Sequence, residues 1–238
     1  MNTDPLSASY RLAPNTLPDP VKAVIFDMDG TLLDTEAVHR RAMADAGRRL
    51  GWNVSEDLLL RMVGVHRDET RRMTAAHFGA DFPLDQFFLE SDALFEAANE
   101  SGITIRPGAE LLLEHLQRAG IPMAVATSSE APSAQIRLQR AGLLSYFDVV
   151  ITRNDVEHPK PHPEPYLLVA ARLGVDPANA VAVEDSYAGV RSALAAGIAT
   201  VMVPDLLPPT EELILATAAV LPSLKDLRDI LRVATLSV

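Results

Sequence analysis

Cysteine is absent from the 238-residue chain, which excludes disulfide frameworks, thiolate nucleophiles and cysteine-ligated zinc together. A chain without thiols fits a reducing cytoplasm, and a cytoplasmic protein is expected. Long apolar runs are also absent. None approaches the ~20 residues needed to span a bilayer, so no membrane helix is expected. Basic residues are in deficit: 21 Lys and Arg against 32 Asp and Glu give a formal charge of −11, and no basic patch stands out. Nucleic acid and anionic membrane surfaces are therefore not expected partners. A small molecule is, with the protein itself a monomer or weak dimer. Lysine is scarce, confined to Lys22, Lys160 and Lys225. The 48% apolar and 22% charged content suits a globular chain with a real core. At ~150 residues per domain, the length predicts one large domain or one domain carrying an insertion.

Residues 1–20 carry Pro5, Pro14, Pro18 and Pro20 with no apolar segment of signal-peptide type, and read as a flexible leader. Val24, Ile25 and Phe26 then form a short apolar run stopped by polar and turn residues, which predicts a buried strand ending in a loop. From Pro107 a rhythm sets in. Gly120 precedes Met123 to Ala126, Gly142 precedes Val149 to Ile151, Gly174 precedes Val181 to Val183, and Gly197 precedes Thr200 to Val203. Glycine suits the left-handed position just past a helix end, and continuous β-branched runs suit strands covered on both faces. The fold class is thus α/β, a three-layer Rossmann-like core around a parallel sheet, built from residues 21–34 and 106–238. Residues 35–105 break the rhythm and read as an inserted, all-helical cap, with apolar positions at Leu58, Leu59, Met62, Val63, Phe87, Phe88, Leu94 and Phe95. Trp52 and these phenylalanines are expected to form the cap core rather than an aromatic ligand box.

The predicted strand ends concentrate chemistry, because ligands of open α/β sheets bind at the carboxyl edge. The first delivers Asp27, Asp29, Gly30 and Thr31. Two carboxylates at i and i+2 are costly to hold together without a cation, and oxygen ligands without cysteine or a histidine pair favour Mg²⁺ over zinc. A simple Asp-Gly turn is the plainer alternative. The second run ends in Thr127, Ser128 and Ser129, which can donate to phosphoryl oxygens or merely cap a helix. Lys160 lies among Pro159, Pro161, Pro163 and Pro165, a stiff setting for a fixed positive charge. A later strand closes in Glu184, Asp185 and Ser186.

In order, DMDGTLLDTE, VATSS, KPHPEPY and VAVEDSYAG match the four motifs of the haloacid dehalogenase-like superfamily, which the chain resembles from about Val21 onward. The helical insertion resembles the cap of its beta-phosphoglucomutase-like and sugar-phosphatase branch. The resemblance implies Asp27 as the nucleophile that becomes an aspartyl phosphate and Asp29 as the acid and then base. It implies Mg²⁺ held by the Asp27 carboxylate, the Asp29 backbone carbonyl and Asp185, with Glu184 supporting that shell. Thr127, Ser128 and Lys160 would bind phosphoryl oxygens. His39 and Arg67 would lie at the cap, in contact with substrate or at its hinge.

Asp29 equips the site for alkoxide departure, which disfavours dehalogenation. The absence of lysine between Lys22 and Lys160 excludes the Schiff-base phosphonatase branch. The expected activity is Mg²⁺-dependent hydrolysis of a small phosphomonoester, such as a sugar or polyol phosphate. The alternative is a beta-phosphoglucomutase-like phosphosugar isomerase, which the chain resembles at Asp34, Thr35, His39 and Arg67. Against it, Glu130 stands where such mutases place lysine, and no Lys or Arg occurs from Met73 to Ile105. Arg67, Arg71 and Arg72 could compensate in part. For hydrolysis His39 reads more simply as a satisfied surface group, and Arg67 is open between substrate contact and pairing with Asp68 or Glu69.

Overall fold

Six short apolar segments become the strands of one parallel sheet: β1 (Ala23–Phe26), β2 (Met123–Ala126), β3 (Val149–Ile151), β4 (Ala180–Glu184), β5 (Ala199–Met202) and β6 (Ala219–Val220). The structure is a computed structural model that describes residues 17–63, 65, 67–100 and 102–231. Strand order is β3-β2-β1-β4-β5-β6, with every neighbouring pair parallel. β6 is the strand that the sequence did not announce. Its two residues carry no periodic signal and are strand only because they pair with Val201 and Met202.

Helices α5 (Ala109–Arg118), α6 (Ala131–Arg140), α7 (Glu164–Leu173) and α8 (Tyr187–Ala195) alternate with the strands, and α9 (Glu211–Ala216) and α10 (Leu224–Ile230) follow. Each of the first four ends within two residues of a glycine in the left-handed region, with φ of +68° at Gly120, +72° at Gly142, +67° at Gly174 and +74° at Gly197. The punctuation seen in the sequence is therefore a helix-ending device.

The two faces of the sheet differ in side-chain size. Val24, Phe26, Met123, Val125, Val181 and Val183 meet Leu112, Leu113 and Leu116 of α5 and Leu224 and Leu227 of α10. On the other face Ala23, Ala124, Ala126, Ala180 and Ala182 surround Ile25, and their small side chains let α7 and α8 lie close, through Tyr166, Val169 and Ala193. Full burial of each large side chain contributes roughly 2 kcal/mol. This close approach brings Tyr166 to the sheet's carboxyl edge, where it is used below.

The chain leaves the core after β1 and returns before α5, and the two crossings run side by side. Leu33 bridges antiparallel to Ile105, and the Asp34 amide donates to the Thr104 carbonyl at 2.8 Å. Between them lie α1 (Glu36–Arg49), α2 (Glu56–Arg61), α3 (Arg67–Phe78) and α4 (Leu84–Glu100), with no strand among the described residues. Leu58, Leu59, Met62, Phe82, Phe87 and Phe88 form the core of this cap, with Trp52 and Leu94 packed against it. Phe95 departs from the expectation: one residue past Leu94, it is rotated off that stripe and faces the cavity described below. Of the leader, residues 1–16 lie outside the described residues, while Leu17 packs against the core. None of the described helices is long and apolar enough to cross a membrane.

Because Phe87 is fully buried among large side chains, Phe87→Ala should lower the unfolding free energy by about 3–5 kcal/mol, measured by urea denaturation. A loss below about 1 kcal/mol would show that this cluster does not hold the cap together.

Candidate active site

Strand order reverses about β1, and the loops leaving β1, β2, β3 and β4 line one crevice at their carboxyl ends. Together with the cap they enclose a cavity of about 800 Å³. Asp27, Asp29, Thr127, Ser128, Lys160 and Asp185, scattered over most of the sequence, all line it, as do His39 and Arg67 from the cap side. Glu184 lies beneath, fully buried.

Lys160 organises the floor. Its Nζ donates to Asp27 Oδ1 and to Glu184 Oε1, each at 2.5 Å, with the lysine 6% exposed. The Tyr166 hydroxyl donates to Glu184 Oε1 at 2.8 Å, and the Ser186 hydroxyl donates to Oε2 at 3.0 Å. Glu184 thus differs from the other predicted metal-shell residues, since its oxygens are engaged by Lys160, Tyr166 and Ser186. Helix α8 passes so close that a Cβ at Gly189 would stand 1.8 Å from Glu184 Oε1, so only glycine fits there. Gly30 is constrained twice, by φ of +87° and because a Cβ would lie 2.3 Å from Asp185 Oδ2. Thr31 Oγ1 donates to Asp185 Oδ1 at 2.8 Å and orients it.

The electrostatics follow from this crowding. Burial pushes Asp27 well above the usual carboxylate range; Lys160 opposes the shift, and Glu184 and Asp29 add to it. Burial, then Asp27 and Glu184, push Asp185 up as well. Burial alone would lower Lys160, but Asp27 and Glu184 outweigh it and hold the ammonium charged. Burial and Glu184 raise Tyr166, which stays a phenol donor. One ammonium thus sits in a cluster of three buried carboxylates and pairs with two of them. Oxygens of Asp27, Glu184 and Asp185 lie within 4.8 Å of one another, an all-oxygen set that suits a hard divalent cation.

Asp29 is held separately. Its Oδ1 accepts from Thr35 Oγ1 and from Arg137 Nη1, both at 2.6 Å, and its Oδ2 accepts from Ser129 Oγ at 2.7 Å. Thr127 is buried with its Oγ1 accepting from the Ser129 amide at 3.1 Å, whereas Ser128 is exposed on the cavity wall. His39 is not the surface group that the plainer sequence reading made it. It meets the Phe95 ring edge-on at 5.4 Å, and burial lowers its pKa, with Asp29 and Asp92 opposing, so a neutral imidazole faces the cavity. Arg67 both lines the cavity and pairs two-pronged with Asp92 of α4, at 2.9 and 2.6 Å. Arg71 and Arg72 pair instead with Asp85 and Glu69 and do not line the cavity, so they do not supplement it.

Arg137, Phe95, Tyr166 and Glu36 were not singled out from the sequence as site residues. Burial and Asp29 push Glu36, at the first turn of α1, up to about 8. Arg137 had one legible signal: on α6 it falls on the face of Ala134 and Leu138, where a charge is unexpected. Its partner, 108 residues away, was not legible.

With burial raising Asp27 and Asp185, the cation-free protein should lose stability as pH rises from about 4 through those raised values. A divalent cation reverses that loss, contributing about 2.7 kcal/mol at a hundred times its Kd. Thermal unfolding should show an upward Tm shift with the cation that grows with pH and disappears in Asp185→Asn. An equal shift in that variant would place the cation elsewhere.

The profile of the haloacid dehalogenase-like hydrolases matches residues 21–197. Hexitol phosphatase A of Escherichia coli is 40% identical over 180 residues, covering 74% of this chain and 80% of that protein. A phosphorylated carbohydrates phosphatase of Thermotoga maritima is 36% identical over 178 residues, 75% of this chain and 82% of its own. Among solved structures, CbbY from Rhodobacter sphaeroides in complex with phosphate superposes with a TM-score of 0.75 at 31% identity, over 87% of this chain and 96% of that one. The cluster at the sheet edge is thus accompanied by similarity over most of the length, and the chain belongs to the haloacid dehalogenase-like hydrolase family.

Proposed function

We propose that the protein is a Mg²⁺-dependent phosphatase that hydrolyses small sugar or polyol phosphates through an aspartyl phosphate on Asp27. The observation that carries this reading is the convergence of Asp27, Lys160 and Asp185 at one buried point of the cavity. Relatives described as a hexitol phosphatase and a phosphorylated carbohydrates phosphatase support the substrate class.

Asp27 attacks phosphorus, forming an O–P bond as the ester P–O bond breaks. Lys160, already on Asp27 Oδ1, neutralises the transferring oxygens, and Thr127 and Ser128 of the loop after β2 offer hydroxyl donors. Asp29 gives its proton to the departing alcohol. It then takes one from water, whose oxygen attacks phosphorus and frees Asp27 and inorganic phosphate. Asp27, Asp185 and the Asp29 backbone carbonyl would hold the Mg²⁺, which when bound supplies charge that lets an anionic ester approach these carboxylates. His39 and Arg67 would face the alcohol portion.

The cavity walls disfavour an isomerase, which must seat a second phosphate. Glu130, Asp92 and Glu96 line the space, and the cap arginines that line it with them are already paired, Arg40 with Glu56 and Arg67 with Asp92. Neutral hydroxyls suit that lining better.

Purified protein should release phosphate from sugar and polyol phosphates only with Mg²⁺, and Asp27→Asn should lower kcat by at least about 10³-fold. Conversion of a sugar 1-phosphate to its 6-phosphate without phosphate release, or full activity in Asp27→Asn, would contradict the proposal.

A further inference from the structure

We propose that Arg137 is the positioning residue for Asp29, and that it makes the orientation of this carboxylate depend on the cap; this rests on the phosphatase reading above. Helix α6 needs no charge at this position. Ala134 and Leu138 on the same face are fully buried, and Arg137 joins them at 4% exposure while Gln135, Ile136, Gln139 and Arg140 are open to water. Burying a guanidinium is costly unless it is paired and hydrogen-bonded. Its ionic partner is Asp29, through Nη1 to Oδ1 at 2.6 Å. Its Nε donates to the Ser133 carbonyl one turn earlier at 3.2 Å, which fixes the side chain along its own helix.

The third side of the clamp is the cap. The guanidinium stands over the Phe95 ring, 5.3 Å from its centroid, and that ring meets His39 of α1 edge-on. Ser133 Oγ donates to Glu96 Oε1 of α4 at 3.3 Å, a second tie between α6 and the cap next to the first. A continuous contact path thus runs from α1 and α4 through Arg137 to Asp29. With Phe95 seated, the guanidinium is confined between ring and carboxylate; with the ring removed it is free on that side.

Donor chemistry gives the path a function. A guanidinium only donates, whereas a hydroxyl can turn from donor to acceptor. Asp29 Oδ1 is tied to Arg137 and Thr35, while Oδ2 meets the rotatable Ser129 hydroxyl. Arg137 therefore leaves Oδ2 as the oxygen that exchanges a proton with the leaving alcohol and with water.

The test compares kcat/KM, which reports steps up to formation of the aspartyl phosphate, on two esters. A polyol phosphate needs its leaving alkoxide protonated; 4-nitrophenyl phosphate does not. Arg137→Gln should lose roughly 10²-fold on the polyol ester and under about 10-fold on the aryl ester. Arg137→Lys should recover part of the loss, and Phe95→Leu should show a smaller defect of the same selectivity. In an Asp29→Asn background Arg137→Gln should cost nothing further, because residues acting through one group are non-additive. Equal losses on both esters, or additive losses with Asp29→Asn, would overturn the proposal and leave the phosphatase reading intact. Should Arg137→Gln fail to fold, Arg137→Lys and Phe95→Leu carry the same comparison. A wild-type protein inactive on both esters would overturn the underlying reading and this proposal with it.

Discussion

The ion pair of Lys160 with Asp27 and Glu184 is the contact on which the rest of the site depends. Three carboxylates gathered at the end of a parallel sheet repel one another and lose hydration, and the one lysine that the core sends there is what lets them stay. Removing one partner of such a buried pair typically costs 3–5 kcal/mol. The surroundings are arranged to hold it. Tyr166 and Ser186 satisfy the remaining lone pairs of Glu184, Gly189 makes room for that carboxylate, and Gly30 makes room for Asp185. Even the alanine face of the sheet contributes, because α7 must lie close for Tyr166 to reach Glu184. Glu184 thus anchors Lys160 from beneath, and Lys160 in turn holds Asp27 Oδ1 at the cavity floor.

The cap supplies the opposite wall and a different electrostatic character. At about 800 Å³ the cavity falls within the range of small-molecule sites. Its outer lining mixes aromatic edges, a neutral imidazole and carboxylates with Arg40 and Arg67, whose charges are already met by Glu56 and Asp92. In the proposed reading the floor takes the phosphoryl group and the roof faces the alcohol portion of the ester. Phe95 and Arg137 join roof to floor, so the two are not independent modules.

Much of this was legible in the sequence where the signal is local. The glycine-punctuated strands, the helical insertion and the loop residues Asp27, Asp29, Thr127, Lys160 and Asp185 each announce themselves by neighbours a few positions away, and the parallel sheet then brings them to one edge. What was not legible depends on long-range pairing. β6 is strand only through its contact with β5, and Phe95 looked like cap core because its helix is apolar around Leu94 as well. Arg71 and Arg72 offered a partial substitute for the lysines of a mutase, yet the turn of α3 carries them to Asp85 and Glu69. Glu184 and Asp185 are adjacent in sequence and both reach the carboxylate cluster, yet one meets Lys160 and the other Thr31. Spacing alone does not separate those two carboxylates; the hydrogen-bond partners do.

The central claim is that this charge-crowded floor makes Asp27 the group that accepts the phosphoryl. Acid-quenching the protein during turnover of a sugar phosphate with Mg²⁺, followed by peptide mass analysis, tests it directly. One phosphoryl group should appear on the peptide containing Asp27 and be absent in Asp27→Asn. Phosphate release with that peptide never modified, or the phosphoryl group found on another residue, would contradict the account.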